Sequence, residues 1–407
     1  MTHLPATTQT VALMLAVFAA LAIATARFRV PYTVGLVVAG LIIGLIPRHP
    51  SIELTPSLVL FVFLPPLLFD GGWTADVPAM RRNWAPIALL AIVGVVLGVA
   101  VSYVFLTFGA HLAAETALIF GAIVAATDPI AVLALFNTLR IDRDLQAIVE
   151  NESLFNDGTS VVAFTTLLTA FSQAGATIDV PGAMLRAAVM TAGGVIVGFI
   201  IGGVARFLIR IVADQVMIVA FLTALIAYGA YLIAEDLRVS GIMAVIFAAI
   251  TIAGSRTLAA ISPSDRGKID SFWSVIAFVA NTLLFVLMGA SIHIRDILAQ
   301  WPDAVIGVAA VVLGRLLIVR ALAPFSALLG RPLSSKWQNA ITLAGIRGAL
   351  SMALVLSLPD DFPERSLLVS MVFSVVLFTV VVQGSLLEPL LRAMGLTEQA
   401  RPAQAGA

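Results

Sequence analysis

Ala126-Thr127-Asp128-Pro129-Ile130 and Glu152-Ser153-Leu154-Phe155-Asn156-Asp157-Gly158 stand inside two successive apolar segments of the chain. Asp128, Glu152 and Asp157 therefore fall where hydrocarbon is expected, and ionisable side chains at such depth mark ion or proton pathways. Pro129 has no N–H to give the Ala125 carbonyl, so a helix through this point is interrupted and frees a backbone acceptor one turn back. The two segments read as consecutive membrane helices, the first broken beside an acid, that together hold a cation site.

The rest of the chain supplies the matching environment. Of 407 residues, 60% are hydrophobic and only 11% charged, whereas about a quarter of a soluble globule is charged. Net charge is zero, which leaves no basic footprint for nucleic acid. Cysteine is absent, so disulfides, thiolate nucleophiles and zinc–thiolate sites are excluded. The four histidines (His3, His49, His111, His293) lie near span ends and argue against a His-based metal centre. No Gly-x-x-x-x-Gly-Lys-Ser/Thr loop is present to hold nucleotide phosphates. The first apolar run, 10–26, is followed rather than preceded by basic residues (Arg27, Arg29), the reverse of a cleaved signal, and reads as a retained helix.

Outward from the central pair, apolar runs of bilayer length predict about 13 transmembrane helices. They fall near 10–26, 31–46, 54–70, 84–108, 112–137, 148–172, 183–210, 215–235, 240–256, 270–291, 303–323, 336–357 and 364–391. Charge tests that count. Connections after odd-numbered helices, with the tail, carry 16 basic residues, Arg81, Arg82, Arg140 and Arg143 among them. Those after even-numbered helices carry 5 (Arg48, Arg186, Arg238, Arg295, Arg365), and Arg315 and Arg347 inside spans complete the 23. Basic loops mark the cytoplasmic side, so the N-terminus is expected outside and the C-terminus inside. The chain is expected to be an all-α polytopic membrane protein over 1–392 with a short cytoplasmic tail, 393–407, too small for a regulatory domain.

An odd count with alternating direction predicts two inverted six-helix repeats, 1–6 and 8–13, around a spare helix. Helix 5 then matches helix 12, and both are discontinuous: Asp128-Pro129 interrupts one, Gly345-Ile346-Arg347-Gly348 the other. Broken helices at matching places in two halves point to a transporter's midplane site. Helix 7 carries Gly194, Gly198 and Gly202 four residues apart, which suits close packing within the chain or across a dimer.

On helix 6, Glu152 and Asn156, like Ser153 and Asp157, lie one turn apart. Asp157 sits roughly 12 to 14 Å below the helix start at 1.5 Å per residue. Hard alkali cations take carboxylate, hydroxyl and carbonyl oxygens. Asp157, Asp128, Ser153, Thr127 and the freed carbonyls provide that set for an alkali cation, with Asn156 in support. Asp70, after Leu64-Pro-Pro-Leu-Leu-Phe69, either lines the route or is an interfacial acid at a helix end. Arg347 requires a counter-charge, because arginine stays protonated. Glu152 is its expected partner, which leaves Asp157 free to titrate; Arg315 also needs a partner that spacing does not name. A carboxyl that holds either a proton or a cation couples the two flows without nucleotide hydrolysis, a transporter's chemistry rather than an enzyme's.

At these residues the chain resembles the cation:proton antiporter 1 family, the NhaP-type and eukaryotic sodium/proton exchangers. Ala126-Thr-Asp-Pro-Ile-Ala-Val132, Glu152-Ser-Leu-Phe-Asn-Asp-Gly158, Leu64-Pro-Pro-Leu-Leu-Phe69 and Gly345-Ile-Arg-Gly-Ala349 match its patterns in order. The resemblance implies the NhaA/NhaP-like antiporter fold and a homodimer in the plasma or inner membrane. It also implies a mobile core of about 84–172 and 303–391, a dimerisation part of about 10–70 and 183–291, and elevator-like alternating access. It assigns Asp157 and Asp128 to the ion, Thr127 and Ser153 to further ligands, and Glu152 with Arg347 to a structural pair. The Asn156-Asp157 sequence matches the electroneutral branch, so Na⁺ (or Li⁺) is expected to exchange for H⁺ one for one, with no cofactor. A K⁺/H⁺ antiporter of the same fold and, remotely, an intramembrane aspartyl enzyme using Asp128 and Asp157 are the alternatives.

Overall fold

The computed structural model describes residues 32–44, 55–172, 180–254, 261–291 and 294–397. The helix expected at 10–26 lies outside these residues. Among the described residues every regular element is helical. In chain order they are α1 (Tyr32–Gly44), α2 (Leu58–Thr74), the short α3 (Val77–Arg82), α4 (Trp84–Gly109), α5 (Ala114–Ile123), α6 (Ile130–Leu139) and α7 (Arg143–Ser172). There follow α8 (Val180–Ile211), α9 (Val216–Asp236), α10 (Gly241–Ala253), α11 (Pro263–Ala290), the short α12 (Ile294–Ala299) and α13 (Trp301–Leu328). Last come α14 (Ser335–Leu343), α15 (Ala349–Leu356) and α16 (Arg365–Ala393).

The interruptions fall where the residues demand them. Helix 5 of the sequence reading is α5 and α6, separated at 124–129; helix 12 is α14 and α15, separated at 344–348. Pro129 precedes the first residue of α6, a place where its missing N–H costs nothing. In α2, Pro65 and Pro66 follow a widened π-turn at Leu58–Phe63. Pro66 cannot donate to the Val62 carbonyl, and the Tyr228 hydroxyl of α9 donates there instead, at 2.9 Å.

Packing repeats under a shift of seven spans. The pair α1–α11 has its counterpart in α10–α2, α4–α5 in α13–α14, α4–α7 in α13–α16, and α6–α16 in α15–α7; α4 packs on its own counterpart α13. The first two crossings are built alike from small residues. A Cβ on Gly40 would lie 2.8 Å from the Gly289 Cα, and one on Gly72 would lie 2.7 Å from the Ala249 Cβ. The chain is thus two inverted repeats with discontinuous helices at matching places. The glycines of α8 serve α10: a Cβ on Gly198 would meet the Ala244 Cα at 3.1 Å, and one on Gly202 the Thr251 Cβ at 2.8 Å. Their close packing is therefore within the chain. Two groups of helices result, α4–α7 with α13–α16 and α1, α2 with α8–α11, meeting chiefly where α7 lies against α8 and α10.

Candidate ion-binding site

The two breaks lie against each other and stitch together through the groups that broken helices leave unpaired. The Asp128 N–H donates to the Ile346 carbonyl at 2.7 Å. The Arg347 guanidinium donates through Nη1 to the Ala125 and Ala126 carbonyls, at 2.6 and 3.1 Å, and the Ser351 hydroxyl donates to the Ile123 carbonyl at 2.8 Å. Orphan carbonyls at the end of α5 are thereby met by α15 and its lead-in. The Arg347 N–H is taken by the Thr379 hydroxyl of α16 at 3.1 Å, and Gln383 Nε2 donates to the Leu343 carbonyl at 2.7 Å.

Charges follow the helix ends. Asp128 lies at the start of α6, where Oδ1 accepts the Ile130 N–H at 3.0 Å. Arg347 sits at the end of α5, and Arg315 Nη2 reaches the Ile341 carbonyl in the last turn of α14, at 3.3 Å. Acid at an N-terminus and guanidinium at a C-terminus both suit the helix dipole.

Here the structure corrects the expected Glu152–Arg347 pair. Glu152 is held by Arg315 of α13, whose Nη1 and Nη2 donate to Oε1 and Oε2, each at 2.9 Å. Both residues are buried, 1% and 8% exposed. The physical reason is geometric: Arg315 presents its planar fork to the carboxylate, while the Arg347 guanidinium is spent on the carbonyls of the opposite break. Spacing along one helix could not reveal which of two buried arginines would reach Glu152.

Asn156 completes the network. Its Nδ2 donates to Thr127 Oγ1 and Glu152 Oε1, at 2.7 and 2.9 Å, and its Oδ1 accepts the Thr127 N–H at 3.3 Å. Thr127 Oγ1 and Ser153 Oγ lie 2.8 Å apart. Thr127, Asp128, Asp157 and Asp70 all line one cavity of about 1050 Å³. Ser153 does not line it and stands behind Thr127; Glu152 and Arg347 are likewise outside its wall. One carboxylate oxygen of Asp157 (Oδ1) and one of Asp70 (Oδ1) are buried with no hydrogen-bond partner among the described residues. Such groups are expensive unless a proton or a cation meets them.

Two cavity residues escaped the sequence reading as site members. Glu150 lines the wall with Leu154 and Asp157, an i, i+4, i+7 stripe that helical spacing could have flagged. Asn281, an uncharged polar side chain, also faces the cavity from α11. Within the lining, Asp70 and Thr74 of α2, Thr138 of α6 and Glu150 of α7 lie toward the connections bearing Arg81, Arg82, Arg140 and Arg143.

The chain matches the family model described as sodium/hydrogen exchanger, transmembrane, over residues 13–393. It is 35% identical to the Na(+)/H(+) antiporter ApNhaP of Aphanothece halophytica over 371 residues, covering 90% of this chain and 70% of that one. It is 31% identical to the Na(+)/H(+) antiporter NhaP of Pseudomonas aeruginosa over 393 residues, covering 89% and 91%. The solved structure of the sodium proton antiporter MjNhaP1 from Methanocaldococcus jannaschii shares the fold, with a TM-score of 0.71 at 20% identity over 94% of this chain and all of that one. Four motifs in order, two broken helices that interlock beside buried acids, and a match along nearly the whole length lead to one assignment: the chain belongs to the transmembrane sodium/hydrogen exchanger family.

Proposed function

We propose that the protein is a secondary active antiporter that exchanges Na⁺ (or Li⁺) for H⁺ by alternating access, one for one and without a cofactor. The observation that carries this reading is the pair Asp128 and Asp157 on a single cavity at the crossing of the breaks, with Asp157 Oδ1 buried and unpartnered. A carboxylate so placed is stabilised by either a proton or a cation, and the two compete. Asp157 carries the exchange, Asp128 and Thr127 add ligand oxygens, and Ser153 supports Thr127 from behind. Asn156 brings no titratable group, and its amide is committed to Thr127 and Glu152. Sodium is favoured because the relatives above are named for Na(+)/H(+) exchange. A K⁺/H⁺ antiporter would use the same oxygen types, and a cation titration separates the two.

The same reading assigns the basic connections to the cytoplasm, so the N-terminus is outside and the cavity opens inward in the plasma or inner membrane. Helices α4–α7 and α13–α16 form the moving core; the other group is the static part through which two copies pair. The packing supports this division, since both ligand aspartates ride on one group.

Reconstitution in liposomes with a lumenal pH dye tests the proposal. Wild-type protein is expected to collapse an imposed pH gradient on Na⁺ addition, with an apparent Na⁺ affinity that weakens as pH is lowered and protons occupy the same carboxyls. Asp157→Asn is expected to abolish the response. Full activity in that variant would refute the site, and acceleration by an imposed membrane potential would refute one-for-one exchange.

A further inference from the structure

Gly348, the last residue of the second break, lies directly against Asp128 of the first. A Cβ built on Gly348 would run into the Asp128 carboxylate Oδ2, lie 2.6 Å from the Asp128 Cβ and 2.9 Å from its Cγ. Real Cβ atoms essentially never come within 3.0 Å of a heavy atom beyond their own residue and its chain neighbours. A positive φ does not explain the glycine: at φ −136° and ψ −152° Gly348 is extended.

From this we infer that Gly348 is a positioning residue, whose bare Cα creates the space that holds the Asp128 carboxylate at the ion site. A methyl at 348 cannot be accommodated by a rotamer change at Asp128. The Asp128 Cβ is itself an obstacle, and it is fixed by the backbone whose N–H bonds the Ile346 carbonyl at 2.7 Å. The breaks must part or the carboxylate must leave its place. Gly345, in the same turn, faces a different neighbour: its Cβ would meet Arg315 Nε at 3.0 Å and leave Asp128 untouched. The inference rests on Asp128 being a cation ligand, and the test separates the two claims.

Sodium-driven proton flux and thermal melting in detergent would be measured for Gly348→Ala, Asp128→Gly, the double variant and Asp128→Asn, with Gly203→Ala as control, since a Cβ there meets nothing within 4 Å. Gly348→Ala is expected to raise the half-saturating Na⁺ concentration roughly ten- to a hundredfold, the scale of an ångström-sized misplacement. It should also lower the melting temperature in the wild-type background but not in Asp128→Gly, where the obstructing side chain is gone. That background keeps the inference testable if Gly348→Ala alone fails to fold. Equal destabilisation in both backgrounds, or a wild-type Na⁺ response in Gly348→Ala beside an impaired Asp128→Asn, would overturn the role of Gly348. A wild-type response in Asp128→Asn would instead overturn Asp128 as a ligand.

Discussion

Glu152 gives both carboxylate oxygens to Arg315, and the pair lies almost wholly out of solvent. Removing one partner of a buried pair leaves the other charge uncompensated, at a cost of about 3–5 kcal/mol. Arg315→Gln is therefore expected to lower the melting temperature sharply, and adding Glu152→Gln should restore most of the loss. Thermal melting of the detergent-solubilised single and double variants checks this; additive losses would mean the two side chains are not coupled. At this scale the sequence told which residues carry charge in hydrocarbon, because the cost of burying Asp, Glu and Arg makes each one conspicuous. It did not tell who meets whom. Arg315 and Arg347 were both evident as intramembrane cations, yet the choice of Glu152 depends on where α13 lies relative to α7, which no spacing along one helix encodes. Glu150 shares a face with Asp157 and could have been read from the i, i+7 interval.

At the scale of elements, the breaks were legible because proline and glycine punctuate them. The π-turn at Phe378–Gln383 in α16 was not, since that stretch holds neither residue. Its two ends serve the broken helix beside it: the Thr379 hydroxyl accepts the Arg347 N–H, and the Gln383 amide donates to the Leu343 carbonyl. A widened turn on one helix thus satisfies backbone groups that the interruption of another sets free, which the hydrocarbon interior requires. Thr379→Val keeps the shape and deletes the acceptor, leaving a buried N–H unpaired. The expected loss is about 1–3 kcal/mol of stability, read by thermal melting. An unchanged melting temperature would mean the Arg347 N–H finds another partner.

For the whole molecule, hydropathy and the alternation of basic connections gave the spans, and twelve of them coincide with described helices or helix pairs; that at 10–26 lies outside the described residues. The inverted repeat was legible from the odd count and the paired breaks. What the sequence withheld was the side on which the site opens, a property of how helices splay rather than of what they contain. The cavity lining runs along α6 as far as Ala134 and Thr138, both exposed. Because the chain has no cysteine, a single introduced thiol reports without interference. Ala113→Cys, exposed at the far end of α5, is expected to react with a membrane-impermeant maleimide added to intact cells. Thr138→Cys and the deeper Ala134→Cys should react only in inverted vesicles, where the cytoplasmic face is outward. The opposite pattern would reverse the orientation drawn from the basic connections. Labelling at Thr138 with protection at Ala134 would leave the orientation standing and close the cavity.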